Sequence, residues 1–494
     1  MSSSPLTRNV LANVLQMLAG AGLLFVLYRY INATLGVAQF GVWSVVLATA
    51  SASRLANLGL GAGMTRFIAR YLALEDRHTA ARMIETSSVT LALVLALVLP
   101  ALYVPLKYVL AHVFTGPHLA EAWQLLPYAL LSLWLNDVAM VYQSGLEGFQ
   151  RMDLRAGIVV AGQVLKLLLA FWLVPIHGLI GLAEAQIAQG VFLLLVGWIV
   201  LRRRLPQLGW LPIRWSRRAF RELIGYGANV QLASLFMMLM DPVAKALMAK
   251  FGGASAAGYF EMANQVVLKV RALIVTANQA IVPRVAALAE TDPARLARLY
   301  CENMRTLVFV TLPPTALILA WAGGFSWLLT GAYQANLVFL LWLFAAAWGF
   351  NTFAGPAYFI NMGTGRVGWN TLAHVLMGTI NVALGWWLGL RYGAPGVASA
   401  YAIALVTGSG LLIAAFQKLH GIRWNQYLTG EHLGLACSCV AVSALGLFAP
   451  LRPAAGEPVP LTIGLVLPLL LLGFAVWTHP QRLALWRRFA SQVA

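Results

Sequence analysis

The sequence predicts an all-α polytopic membrane protein: about fourteen transmembrane helices, in two six-helix lobes related as parallel repeats, with two further helices at the C-terminal end. Three observations carry this. Of the 494 residues, 60% are hydrophobic and only 10% charged, against roughly 25% charged in soluble domains. Apolar runs of about 20 residues, each long enough to cross a bilayer as a helix, recur along the chain, and the roughly 10-residue alternating segments of a transmembrane barrel do not. The chain also echoes itself. Gly36 and Gly41, followed by Val42-Trp43, return in the second half as Gly253 and Gly258, followed by Tyr259-Phe260. Gly148-Phe149-Gln150-Arg151 returns as Gly363-Thr364-Gly365-Arg366, and Gly178-Leu179-Ile180-Gly181 as Gly393-Ala394-Pro395-Gly396, these two at the same spacing. Matches in the same order at nearly constant offset mark an internal duplication.

The first span, 9–31, follows Arg8. Its apolar run to Tyr28 is too long for a signal-peptide core and lacks a small-residue cleavage site, so it is read as an uncleaved span. The second, 39–62, leaves the Gly36 turn and ends around Leu58-Gly59-Leu60. Spans at 84–106, 122–145, 155–175 and 179–201 complete the first copy. Those at 224–248, 258–282, 303–322, 334–358, 369–390 and 395–416 form the second, and those at 431–449 and 460–477 lie outside the duplication. Six spans per copy is an even number, so both copies start on the same side, as parallel repeats do. The expected divisions are a first lobe at 1–201, a basic linker at 202–222, a second lobe at 223–417 and an appendage at 418–494. Pro242, Pro313-Pro314 and Gly355-Pro356 interrupt spans of the second copy, as broken helices near a transport site or as packing kinks. Gly59 and Gly63 fit a close helix-packing motif.

A net charge of +18 in a soluble protein would point to nucleic acid. Here the positive-inside rule accounts for it, and no nucleic-acid partner is expected. With the N-terminus inside, Arg29, Lys107, Lys250, Arg391 and Arg452 fall outside and Arg54, Lys166, Lys245, Lys269 and Arg271 within spans. All the rest of the 34 Lys and Arg residues are then cytoplasmic, which places both termini in the cytoplasm. The arginine-rich linker carries Trp210, Trp215 and Phe220 and reads as a segment lying at the membrane surface or as a site for phosphate groups. No loop exceeds about 25 residues on this reading, so function has to reside among the helices. Cys301, Cys437 and Cys439 have neither metal-ligand nor disulfide spacing.

Walker, nucleophile-elbow and zinc-ligand patterns are missing, so no catalytic residue, metal or cofactor is expected. Glu290-Thr291-Asp292 before Pro293 reads as a helix cap. The ionisable residues inside spans carry the functional signal, because such groups are costly there and usually face a bundle interior or cavity. Asp241 and Lys245 stand four apart and can pair on one helix face; Asp137, Glu184 and Glu261 are the other acids. Lys269 and Arg271 have no acid in helical register and are candidates for a cationic cavity wall or for snorkelling to an interface. The repeat offset sets Arg54 opposite Arg271, and such a pair would attract phosphate or pyrophosphate. Asn351, Asn361, Asn381 and His374 line a polar lumen or make interhelical hydrogen bonds.

The pattern Leu35-Gly36, Phe40-Gly41, Leu58-Gly59-Leu60 and Arg66-Phe67-Ile68-Ala69-Arg70 resembles the polysaccharide transporter family, flippases for lipid-linked oligosaccharides. Their superfamily also contains lipid II flippases and multidrug–cation antiporters. The resemblance implies two six-helix lobes around a central cavity and no enzymatic activity. It implies translocation of a polyprenyl-pyrophosphate-linked oligosaccharide to the periplasmic leaflet of the bacterial inner membrane, for cell-surface polysaccharide biosynthesis. Membrane lipids, a polysaccharide polymerase and export machinery are the implied partners. The substrate set is Arg54, Lys269, Arg271, Arg29, Lys166 and Lys245, with Arg29, Arg54 and Arg271 in the elements where lipid II flippases carry arginines. Asp241 and Glu184 are the candidate coupling carboxylates. Members often carry an acid just before the Leu-Gly of the second span; Asn57 stands there instead, which removes that carboxylate from consideration. The alternative is an ion-coupled multidrug antiporter of the same fold, whose cavity would be dominated by carboxylates.

Overall fold

In the computed structural model, which describes residues 5–52, 60–210, 214–279, 285, 293–448 and 461–483, the chain is helical, with no strand among the described residues. In chain order the helices are α1 (Pro5–Thr34), α2 (Val37–Ser51), α3 (Leu60–Ala73), α4 (Arg77–Val113), α5 (Pro117–Gly148), α6 (Met152–His177), α7 (Leu179–Arg204) and α8 (Arg217–Gln279). There follow α9 (Pro293–Ala320), α10 (Ala322–Thr330), α11 (Ala335–Thr352), α12 (Gly355–Gly363), α13 (Gly368–Leu419), α14 (Gly430–Phe448) and α15 (Leu461–Thr478). Among the described residues, 8 helices are long and apolar enough to cross a membrane, and three shorter apolar helices accompany them.

Two expected spans share each of α8 and α13, which bend at Gly253 and Gly393. The second span differs from expectation: α2 ends at Ser51 and α3 begins at Leu60 and runs on to Ala73. Residues 53–59, with Arg54, Asn57 and Gly59, lie outside the described residues, as do Glu290, Thr291 and Asp292. Proline breaks one helix of the three marked in the sequence. Phe353 and Ala354 separate α11 from α12, where Pro356 sits at the helix start, as suits a residue with no N–H to give. Pro242 and Pro313-Pro314 ride inside α8 and α9, as intramembrane prolines can when neighbouring groups take up the freed carbonyls.

The duplication is written into the backbone. Left-handed turns occur at Gly36 (φ 83) and Gly253 (φ 77), Gly116 (φ 59) and Gly331 (φ 82), Gln150 (φ 54) and Gly365 (φ 72), and Gly178 (φ 59) and Gly393 (φ 62). Each pair keeps the offset found in the sequence. The local packing repeats too. A Cβ on Gly181 would strike the carbonyl of Leu173, and one on Gly396 that of Leu388, so both hairpins close through the same backbone approach.

By contacts the chain divides into residues 1–258 and 259–494. In the first unit α7 packs against α5 and α6, and α1 against α6. Gly41 on α2 meets the backbone of Ala254, while a Cβ on Gly258 would lie 2.6 Å from the carbonyl oxygen of Val37. Ala254 and Gly258 are the repeat counterparts of Val37 and Gly41, so this close approach is reciprocal. The basic linker docks on α4: Gly209 N–H donates to buried Glu85 at 2.7 Å, Ser216 N–H to Thr86 at 3.2 Å and the Trp215 indole to Thr90 at 3.1 Å. Arg202 stacks 3.4 Å over Trp210, and Arg203, Arg204, Arg217, Arg218 and Arg221 remain exposed. Tyr71 on α3 donates to Glu222 on α8 at 2.9 Å, beside an Arg70–Glu222 contact of 3.6 Å.

In the second unit α9 packs against α14 and α11, α13 against α11, and α15 against α14. Phe260, Phe344 and Tyr401 form a buried ring triad at 4.9–5.3 Å. Phe309, Leu435, Cys439, Val442 and Leu472 join α9, α14 and α15 in one apolar cluster.

Candidate functional site

Arg271 sits on the second arm of α8, deep in the unit formed by residues 259–494. Its Nη2 donates to Asn351 Oδ1 at 2.8 Å, and Asn351 Nδ2 donates to Ser409 Oγ at 2.7 Å. A guanidinium can only donate, so the amide turns its oxygen to Arg271 and leaves Nδ2 for Ser409. The guanidinium lies 4.6 Å over the Trp348 ring, close enough for a cation–π contact, and the Trp348 indole donates to Asn264 at 3.1 Å. Three helices, α8, α11 and α13, thus hold one planar cation in one orientation.

A small cleft, with room for about one water-sized group, adjoins it. Its walls are mainly Val267, Val270, Ile274, Ile318, Ala345 and Trp348, with Thr311, Thr315 and Thr352 as the polar groups. Arg271 Nε and Thr311 Oγ1 are buried there with no hydrogen-bond partner. Among the described residues no carboxylate lines the cleft. A guanidinium held by neutral partners keeps its charge for an anion, and its planar fork suits phosphate oxygens.

The other sequence candidates are distributed. Lys269 is half-buried, two residues before Arg271, and does not line the cleft; helical positions two apart point to different sides. In residues 1–258, Lys166 Nζ donates to Gln186 Oε1 at 3.1 Å, and Gln186 Nε2 donates to Ser132 Oγ at 3.2 Å. This neutral relay joins α6, α7 and α5. Lys245 and Asp241 form the expected i,i+4 ion pair at 2.7 Å, with Lys245 6% exposed. Glu184 accepts from His177 at 2.8 Å across the Gly178 turn. Arg29 is exposed on α1. Asn361 Nδ2 donates to Asn370 at 2.9 Å between α12 and α13, so this asparagine makes an interhelical bond. Cys301, Cys437 and Cys439 are free thiols, and no group of metal-ligating side chains occurs among the described residues.

Sequence reasoning found Arg271 and Asn351 but missed Trp348 and Ser409. A tryptophan in an apolar run and a serine beside glycines carry no signal of their own. Asn351 had one further signal: Asn136 stands at its repeat position in the first copy.

A family model for polysaccharide biosynthesis protein matches residues 6–289. No match is found among curated proteins. The fold is similar to the lipid II flippase MurJ in an inward closed conformation, at TM-score 0.72 and 12% identity, over 98% of this chain and 99% of that one. It is similar to an inward-facing multidrug resistance transporter of the MATE family at 0.68 and 16% identity, over 81% and 94%. A transporter of the same superfamily from Pyrococcus furiosus aligns at 0.58 and 16% identity, over 84% and 94%. These structural neighbours are flippases and transporters rather than enzymes, and they fix the architecture of this chain as that of their superfamily.

Proposed function

The chain belongs to the polysaccharide biosynthesis protein family, and on that premise we propose that it is a flippase for a polyprenyl-pyrophosphate-linked oligosaccharide. It works by alternating access, from the cytoplasmic to the periplasmic leaflet of a bacterial inner membrane, with both termini cytoplasmic. In this reading 1–201 and 223–417 are the transport lobes, 202–222 is an interfacial linker and 418–494 an appendage. The observation that carries it is Arg271: an intramembrane guanidinium held by Asn351 and Trp348, with no carboxylate at its cleft among the described residues. Cations inside spans mark substrate pathways, and a pyrophosphate is the acidic group on such a lipid.

Arg271 and its repeat counterpart Arg54 take the pyrophosphate, with Lys269, Arg29, Lys166 and Lys245 supplying positive field. Asp241 and Glu184 are the coupling carboxylates. Both are paired with a base, so coupling would exchange those bases for an ion. A polymerase and export machinery would consume the product.

The test is leaflet exchange of a lipid-pyrophosphate-linked sugar in proteoliposomes. Wild type should exchange it. Arg54→Ala and Arg271→Ala should each lower the rate about tenfold or more, since a lost charge-assisted hydrogen bond of roughly 1.5–3 kcal/mol exceeds the 1.4 kcal/mol of one decade. Exchange at the wild-type rate in both variants would move the pyrophosphate elsewhere. Proton-driven efflux of an organic cation without lipid exchange would identify an antiporter instead.

A further inference from the structure

The middle of α9 and the ends of α14 and α15 carry a set of nitrogen donors that the proposed transport does not use. His432, 2% exposed, lies in the first turn of α14, and His479, 4% exposed, directly follows α15. Their rings stand 4.9 Å apart, and His479 also packs 4.9 Å from Phe309 on α9. Hydrogen bonds fix both tautomers. The carbonyl oxygen of Arg305 faces His432 Nε2 at 3.3 Å and can only accept, so Nε2 carries the proton and Nδ1 accepts from Thr429 Oγ1 at 2.7 Å. His479 Nδ1 accepts from Gln481 N–H at 3.2 Å, which leaves its proton on Nε2. That Nε2 is buried and has no acceptor among the described residues.

Two arginines on the same elements have guanidinium nitrogens in the same condition. Arg305 spends Nη2 on the Gln426 carbonyl at 2.6 Å, and its Nε is buried without an acceptor. Arg482, one turn beyond His479, packs 4.2 Å over Trp477, and its Nη1 is buried without an acceptor. Glu431, the acid next to His432, is exposed, and its charge reaches both histidines. Buried donors are normally satisfied, so three orphans on neighbouring elements, two of them on arginines, call for an acceptor-rich anion. A phosphate supplies acceptors only, whereas water brings donors as well.

The same corner leads into an apolar ridge. Leu470, Phe474 and Trp477 are 64%, 71% and 71% exposed at i, i+4 and i+7 on α15, one stripe of a helix that runs directly to Arg482. We propose that the middle of α9 and the ends of α14 and α15 form a headgroup site for an anionic phospholipid, with the phosphate on His479 Nε2, Arg482 and Arg305 and the acyl chains along Leu470, Phe474 and Trp477. The site is separate from the Arg271 cleft and does not depend on what the protein transports.

The experiment is native mass spectrometry and thermal unfolding of the full chain in detergent, titrated with phosphatidylglycerol, phosphatidylcholine or inorganic phosphate. Phosphatidylglycerol should be retained and raise the unfolding midpoint, phosphatidylcholine should bind more weakly, and inorganic phosphate should not protect. The double variant Arg305→Gln, Arg482→Gln should bind phosphatidylglycerol about tenfold more weakly, and Arg482→Lys should recover part of the loss, because charge returns without the planar fork. A photoreactive phosphatidylglycerol on the wild-type chain should label peptides containing His432 or His479, which decides the matter if the double variant fails to fold. Equal binding of the two lipids, an unchanged double variant, or labelling confined to other helices would overturn the proposal. Protection by inorganic phosphate alone would replace it with a free-anion site.

Discussion

A guanidinium 2.8 Å from an amide oxygen is oriented without being neutralised, and that distinction is testable at Asn351. Asn351→Asp keeps the shape and the Ser409 contact but sets a carboxylate against Arg271. The new ion pair should hold or raise thermal stability while lowering lipid-pyrophosphate exchange to the level of Arg271→Ala, about tenfold or more, because an anion then competes with an internal one. Wild-type exchange in this variant would mean that the charge of Arg271 is not what the substrate meets. Arg271 was legible in the sequence because charge stands out in an apolar run. Asn351 was legible as a polar group within a span, but Trp348 and Ser409 were not, because only the fold brings them around Arg271. A second residue-scale prediction lies outside the spans. Arg151 donates to Asp153 at 2.9 and 2.8 Å, and these hydrogen bonds hold the carboxyl below its ordinary range. An acid with a lowered folded pKa adds stability above the usual value near 4, and loses it as pH falls through the folded value. Asp153→Asn should therefore lower stability at pH 7 by no more than about 1 kcal/mol, read from the unfolding midpoint, since the pair is partly exposed. The difference from wild type should close toward pH 3.

The helices stop and turn where the sequence duplication says they do, and the turns differ in how comfortably their residues sit. Gly365 takes φ 72 without a Cβ, while its counterpart Gln150 takes φ 54 with one. A left-handed conformation costs a side-chain-bearing residue roughly 1–2 kcal/mol. Gln150→Gly should then be neutral to stabilising and Gly365→Gln destabilising by about 1 kcal/mol, read as opposite shifts in thermal midpoint; shifts of the same sign would break the correspondence between the two turns. The hairpin glycines make a stricter comparison. Gly181→Ala and Gly396→Ala each drive a methyl into a backbone carbonyl, and overpacking of this kind costs about 1–3 kcal/mol. The two losses should agree within about 0.5 kcal/mol, the scatter expected of independent sites. The duplication was readable because turn glycines are fixed by backbone geometry and survive while the apolar residues between them drift. The run of α3 to Ala73, past the expected end of the second span, and the continuity of α9 through Pro313-Pro314 were not readable. Hydropathy reports only that a stretch is apolar, and whether proline breaks it depends on neighbours that take up the freed carbonyls.

At the scale of the whole chain, the repeat and the membrane together dictate sidedness. Each copy holds an even number of spans, so a turn and its counterpart in the other copy should open on the same face, and successive turns should alternate. The positive-inside count makes the face bearing Arg151 and Arg366 the inner one. Single cysteines at Gln150 and Gly365, in a background with Cys301, Cys437 and Cys439 changed to serine, should therefore react with an impermeant maleimide only from the cytoplasmic side. Cysteines at Gly116 and Gly331 should react only from the opposite side. Left-handed turns are suited to such labelling because they lie outside the regular helices. If positions 150 and 365 reacted from opposite faces, the copies would be inverted rather than parallel. The long bent helix α8, which lies between the two turns, would then have to cross the bilayer a different number of times than its two arms imply. Reaction of all four positions from one face would contradict the span count itself, and with it the charge asymmetry on which the orientation rests.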